Sequence, residues 1–338
     1  MINIGIPRAL LYYQYFPMWK TFFEELGGEV VISPPTTKDI IALGASRVVA
    51  DTCLPVKVFL GHVLSLMGKC DYIFIPTIRS LKSKIYNCSK FLGLPEMTKA
   101  VITECPPVLD INIDMNKGIK SIYRAIDKLG RYFTRNTSEI KRASLNAWQV
   151  HLDYRQLMSN KILTPPEAME RIQGLDKAEN SYLRTETGTY SGNPASTQPN
   201  IALIGHPYLL YDEYLNHRLI HRLEQSGNKV LTPEMLTSDE LESASVKLAG
   251  TTYWTYGEEV VGAGEHYLKD GVDGIIGILT FGCGPDSLMM EMVRRRANKL
   301  GTTPFMSIVL EEHTAETGII TRLEAFLDMI NRRKRGNQ

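Results

Sequence analysis

Cys53-Leu54-Pro55 and Cys283-Gly284-Pro285 repeat one small arrangement, a cysteine followed by a proline two residues on. Proline fits the first turn of a helix, where its missing N–H is no loss, so each thiol is predicted just outside a helix N-terminus. An apolar run precedes each: Val48 and Val49 before the first, Gly274 to Leu279 before the second. Both cysteines therefore read as lying at strand-to-helix turns. The helix dipole favours a thiolate there, and the thiolate is the form that binds metal or attacks. Cys88, within Tyr86 to Pro95, lies in another segment broken by turn residues. Three such thiols are the expected protein share of an iron-sulfur site with one iron left open.

Against this stands the common behaviour of cysteine as a small buried hydrophobe. Cys70 sits where a strand begins, and Cys105 is followed by Pro106-Pro107 with no helix to open, so both read as structural. The separations from Cys53 to Cys88 and from Cys88 to Cys283 match no compact zinc pattern. A shared site must be built by folding.

The elements that would build it are legible as a diverged duplication. A shift that carries Gly5 onto Gly205 also carries Ile4, Pro7, Leu10, Glu24, Gly27, Val30 and Thr37 onto Ile204, Pro207, Leu210, Glu224, Gly227, Val230 and Thr237. Each half begins with a short apolar strand, then Gly-x-Pro, an amphipathic helix ending at Gly27 or Gly227, and a second strand, Glu29 to Ile32 or Lys229 to Leu231. Strand, helix and strand at this spacing predict a parallel βαβ unit. Further alternation follows: helix 56–67 and strand 72–75; helix 256–269 and strand 274–279; helix 287–300 and strand 304–309; and a last helix over 317–330. The fold class is thus α/β, with two Rossmann-like lobes of open parallel sheets at residues 1–110 and 200–338. Between them, residues 111–199 read as a connector, helical over 116–173 and linker-like in composition over 176–200. In open parallel sheets ligands collect beyond the carboxyl ends of the strands. Two lobes facing across a cleft would bring Cys53 and Cys283 to one place.

Composition excludes several classes. The 338 residues suit about two domains of roughly 150 each. A net charge of +1 gives no global reason to expect nucleic acid or a membrane surface, and Arg294 to Arg296 and Arg332 to Arg335 read as helix-end charges. Five sparse cysteines, no leader-like N-terminus and no apolar run near the roughly 18 residues of a membrane span lead to a cytoplasmic expectation. Gly61 to Lys69 fails the phosphate-loop pattern, and Gly262-Ala263-Gly264 lacks its third glycine and lies in a helix pattern. His217 and His221 have the spacing of a zinc-binding helix face, but Arg218 stands where a metalloprotease carries glutamate, so ordinary histidines are expected. Glu311-Glu312-His313, after the last strand, reads as a solvated loop.

Several segments together resemble the activator-related proteins of the 2-hydroxyacyl-CoA dehydratase and benzoyl-CoA reductase superfamily. They are Ile4 to Tyr13, Cys53 to Lys57, Cys88 to Pro95, Phe281 to Ser287, Glu312 to Gly318 and Thr321 to Phe326. The chain departs from the usual pattern at Ala50-Asp51-Thr52, Ser89 and Glu311, which bears on the surroundings of the cysteines. The resemblance implies a 4Fe-4S cluster held by Cys53, Cys88 and Cys283 in a cleft between the lobes, and leaves open a larger or double cluster. It also implies a separate ATP-hydrolysing activator of the actin and sugar-kinase fold as electron donor, and a CoA thioester as the typical substrate. Gly282 and Gly284 would let backbone N–H groups approach the cofactor closely, with Asp286 and Ser287 beside them. Two expectations stand: an iron-sulfur electron-transfer or reductase component, or a non-redox binding or scaffold protein whose cysteines only pack. The sequence leaves open the substrate, whether the chain is itself an enzyme, and whether it forms a homo- or heterodimer.

Overall fold

The computed structural model describes residues 1–174, 198–250 and 254–336. Most of the expected linker over 176–200 lies outside the described residues. The chain divides into two compact units, the first comprising Met1–Arg155 with the short segments Arg171–Gln173 and Tyr253–Thr255, the second comprising the rest.

The first unit runs β1 (Ile2–Ile6), α1 (Tyr12–Glu25), β2 (Gly28–Ile32), α2 (Lys38–Ala45), α3 (Leu54–Ser65), β3 (Tyr72–Ser80), α4 (Ser89–Leu92), α5 (Leu94–Val101), β4 (Val108–Asp114) and α6 (Ile119–Gly130), then enters α7 (Thr137–Lys161). After α8 (Pro165–Gln173), the second runs β5 (Asn200–Ile204), α9 (Pro207–Leu210), α10 (Leu219–Gln225), β6 (Lys229–Leu231), α11 (Ser238–Ala249), α12 (Gly257–Asp270), β7 (Gly274–Thr280), α13 (Gly284–Leu300), β8 (Phe305–Leu310) and α14 (Glu316–Gly336). Each unit holds a four-stranded sheet, ordered β2-β1-β3-β4 and β6-β5-β7-β8, with every pairing parallel. The α/β reading with two open parallel sheets is borne out.

Parallel strands covered on both faces must be apolar throughout. In β7 every position is buried, and Ile73, Phe74 and Ile75 of β3 are almost fully so. Helix α1 covers the first sheet with Trp19 and Phe23 against Phe74, ring centroids 4.8 and 4.9 Å apart. Helix α7 adds Tyr154, fully buried, whose hydroxyl donates to the Tyr13 carbonyl at 2.6 Å.

The duplication shows in the helix ends and helix contacts as well. Thr37 caps α2 and Thr237 caps α11, the latter in a reciprocal capping box with Glu240. Each capped helix then lies close against the next. A Cβ on Gly61 of α3 would stand 1.9 Å from the Ile40 carbonyl oxygen, and one on Gly262 of α12 would stand 2.3 Å from that of Leu241. These glycines, unsuited to phosphate binding, let two helices touch backbone to backbone. After α1 and α10 the chain turns at Gly27 and Gly227, both with positive φ.

Two expectations are corrected and one strand is added. Val48 and Val49 form no strand: Val49 is exposed, and the chain there turns from α2 into α3. Cys53 therefore lies at a helix-to-helix turn. Strand β4, unread from sequence, completes the first sheet after Pro106-Pro107. His217 and His221 share no helix face, because His217 and Arg218 are left-handed backbone ahead of α10.

Candidate functional site

In both sheets the chain crosses over between the two central strands, β1 and β3 or β5 and β7, and the carboxyl ends of these pairs are where such folds bind ligands. The predicted site residues stand around these two ends.

In the second unit, β7 ends at Thr280 and Phe281-Gly282 turns the chain into α13, with Gly282 at φ 79° and Cys283 as the N-cap. Cys283 is half-buried. The Ser287 hydroxyl donates to the Cys283 carbonyl at 2.7 Å, closing the turn from within the helix. Gly284 faces open space, with nothing within 4 Å of where a Cβ would stand. Asp286, expected beside a cofactor, is buried and already engaged. Its Oδ1 lies 2.8 Å from Nε2 of His206, at the end of β5, while Nδ1 of His206 is 3.7 Å from Oε2 of Glu259 in the first turn of α12. Burial alone would lower the pKa of His206, but the paired carboxylates of Asp286 and Glu259 more than offset it and raise it well above the ordinary imidazole value. The imidazole is held charged between two acids at the end of the sheet, with the ring of Tyr208 stacked at 5.3 Å.

In the first unit, Cys53 is the N-cap of α3, with Pro55 in the first turn. Its carbonyl accepts from the backbone N–H groups of Val56 and Lys57. Lys57, one turn along, is buried, and its ammonium donates to the Ala50 carbonyl at 2.8 Å, tying the preceding turn to the helix. Cys88 is the N-cap of α4 and is fixed to the end of β3 through Asn87. The Asn87 side chain donates to Ile78 O and accepts from Cys88 N at 3.0 Å. From Tyr72 to Pro95 the sequence holds no acidic residue, while Arg79, Lys82, Lys84 and Lys90 lie in that stretch. The sequence around Cys88 is cationic.

Behind this end lies a buried chain that sequence reasoning did not foresee. Ser33, just after β2, accepts from Arg8 N at 2.8 Å and meets His62 Nδ1 at 2.9 Å, and Nε2 of His62 meets Thr36 Oγ1 at 2.9 Å. Both ring nitrogens of His62 are thus engaged by hydroxyls, which fixes the orientation of the ring. Burial, helped by the nearby Arg8 guanidinium, lowers the His62 pKa to about 4 and keeps it neutral.

The other two thiols behave differently. Burial raises the pKa of Cys70, and burial with Cys70 and Glu104 nearby pushes Cys105 up to about 11. Neither caps a helix. No cysteine among the described residues is in a disulfide. Cys53 and Cys88 belong to the first unit and Cys283 to the second. Among the described residues, no three or more His, Cys, Asp or Glu side chains gather in a metal-holding arrangement. The donor set nevertheless suits a thiolate-bound centre chemically, since all three cysteines occupy helix N-caps and none is fully buried. His206 and Glu259 are further residues that sequence reasoning missed. The available signal was a polar residue ending an apolar strand, where the duplicated half has Ile6.

Two like sheets, each with helix N-termini and polar side chains at the carboxyl ends of its strands, define a duplicated α/β protein. Within that class, the chain belongs to the family described as CoA enzyme activase uncharacterised domain (DUF2229), which matches residues 3–236. The match takes in Cys53 and Cys88 and stops short of Cys283. No curated protein matches the chain. No helix among the described residues is long and apolar enough to cross a membrane.

Proposed function

We propose that the chain is a cytoplasmic iron-sulfur component of a CoA enzyme activase system, with Cys53, Cys88 and Cys283 as the ligands of a 4Fe-4S cluster. One observation carries this reading: the three cysteines singled out from sequence each open a helix, and Cys70 and Cys105 do not. Membership of the activase-related family supports it. Bound there, the cluster would supply a low-potential one-electron store, with an open iron for an oxygen or sulfur ligand. The chain's own residues hold and orient the thiols. Lys57 and Asn87 fix the turns of Cys53 and Cys88, and Ser287 closes that of Cys283. The electron donor is a separate ATP-hydrolysing activator, and the acceptor is a CoA thioester.

A second reading, a two-lobed binding protein with packing cysteines, is favoured by the absence of a gathered metal-binding group among the described residues. Anaerobic isolation with iron and acid-labile sulfide analysis separates the two. About four irons and four sulfides per chain support the first reading; a chain that stays free of iron after anaerobic reconstitution supports the second.

A further inference from the structure

His206 is held between two carboxylates that come from different elements, Glu259 in α12 and Asp286 in α13. Its own backbone position leaves little latitude. A Cβ on Gly205 would stand 2.7 Å from the Ile278 carbonyl oxygen, so the end of β5 is pressed against β7. From this anchored point the imidazole reaches Asp286 in the first turn of α13, three residues after Cys283. The Cys283 turn is thus held from two sides, by Ser287 within the helix and by His206 through Asp286. Burying a charged pair is costly, and well-packed apolar residues often serve stability equally well. The apolar alternative also occurs in this protein, because the duplicated position at the end of β1 is Ile6, buried and apolar. The second unit therefore carries a directional, charge-assisted tie at the strand end that leads to a cysteine-bearing turn.

We propose that His206 is a positioning residue for Cys283: its bond to Asp286 locks the first turn of α13 to the end of β5, with Glu259 as a second acid 3.7 Å from the other ring nitrogen. The inference rests on the reading of Cys283 as a cluster ligand, and its test separates the two.

The full chain is compared with His206→Gln, with the milder Asp286→Asn, and with Tyr211→Phe. The last removes a buried hydroxyl that bonds Thr232 and Glu234, just after β6. Hydrogen exchange of the metal-free chain is followed peptide by peptide. Exchange over residues 284–288 is expected to quicken about tenfold in His206→Gln and Asp286→Asn and to stay unchanged in Tyr211→Phe. Unchanged protection there, or a uniform loss across the whole lobe in all three variants, overturns the proposal. After anaerobic reconstitution, the electron paramagnetic resonance signal and midpoint potential of the reduced cluster are expected to shift in His206→Gln and not in Tyr211→Phe. An iron-loaded chain whose signal and potential are the same in all variants overturns the positioning role. A wild-type chain that takes up no iron overturns the reading of Cys283 as a ligand, while the exchange measurement still decides whether His206 locks the turn.

Discussion

Gly61 offers the sharpest test of how the first lobe is assembled, because one added methyl group must push two helices apart. In Gly61→Ala the new Cβ would lie 1.9 Å from the Ile40 carbonyl oxygen, where real Cβ contacts essentially never fall under 3.0 Å. Helices α2 and α3 must separate by about 1 Å, and the obstacle is backbone, which cannot rotate away. Overpacking of this kind costs about 1–3 kcal/mol, and a rigid obstacle belongs at the upper end. Alanine regains about 1 kcal/mol of helix propensity over glycine, leaving a net loss of about 2 kcal/mol. Since 1.4 kcal/mol is tenfold in an equilibrium, the slowest-exchanging amides of the first lobe should exchange about 30-fold faster. Gly318→Ala is the internal control. It lies in α14 with nothing within 4 Å of the added Cβ and should stabilise by about 0.5–1 kcal/mol. Hydrogen exchange read lobe by lobe suits a chain of two compact units, where a single unfolding midpoint would blend them. Gly61→Ala as protected as the parent, or Gly318→Ala equally damaging, would refute the reasoning.

The two buried histidines should give opposite pH signatures. His62 has a folded pKa lowered from 6.5 to about 4, so the stability it confers is present above 6.5 and is lost as pH falls toward 4, at up to about 1.4 kcal/mol per pH unit. The stability difference between the parent and His62→Gln in the first lobe should shrink on acidification, and one that grows would contradict this. His206 has a raised folded pKa, so its contribution is full below 6.5 and fades as pH climbs toward the raised value. Urea midpoints read from second-lobe peptides should bring His206→Gln and the parent closer together at alkaline pH, and a widening gap would count against the pair. The charge around the thiols should also show in their chemistry. With Arg79, Lys84 and Lys90 in its acid-free stretch, Cys88 should prefer anionic iodoacetate over neutral iodoacetamide about threefold more than Cys283 does, and salt should erase the difference. Mass-spectrometric rates that rank the two thiols the other way would remove the electrostatic account.

Much of the scaffold was legible because parallel strands announce themselves. Gly274 to Leu279 could only be a strand buried on both faces, and the structure extends it by one residue to Thr280. The duplication was visible in Gly5 and Gly205, and in Thr37 and Thr237, because turns and caps constrain residue type more tightly than core positions do. Val48-Val49 misled because two β-branched residues also suit an exposed turn, and nothing local distinguished the two cases. Strand β4 escaped because Asp110, Asn112 and Asp114 alternate with its apolar residues, the pattern of a strand wet on one face rather than of a covered one. At the site, the thiol turns were legible through Pro55 and Pro285, whose preference for a first helical turn is strong. The partners of Asp286 were not, since Glu259 reads as an ordinary acid in the first turn of a helix and only the folded chain brings it to His206. Gly262-Ala263-Gly264 resembled part of a nucleotide loop, and the structure gives part of it a plainer task, the close approach of α11 and α12.

The most direct test of the central claim is the iron content of five single cysteine-to-serine variants, each purified and reconstituted without oxygen and each checked for a native circular dichroism spectrum. Cys53→Ser, Cys88→Ser and Cys283→Ser should lose most of the bound iron and sulfide, while Cys70→Ser and Cys105→Ser keep the parent's content. Equal loss in all five, or none in the first three, would contradict a cluster held by the helix-capping thiols.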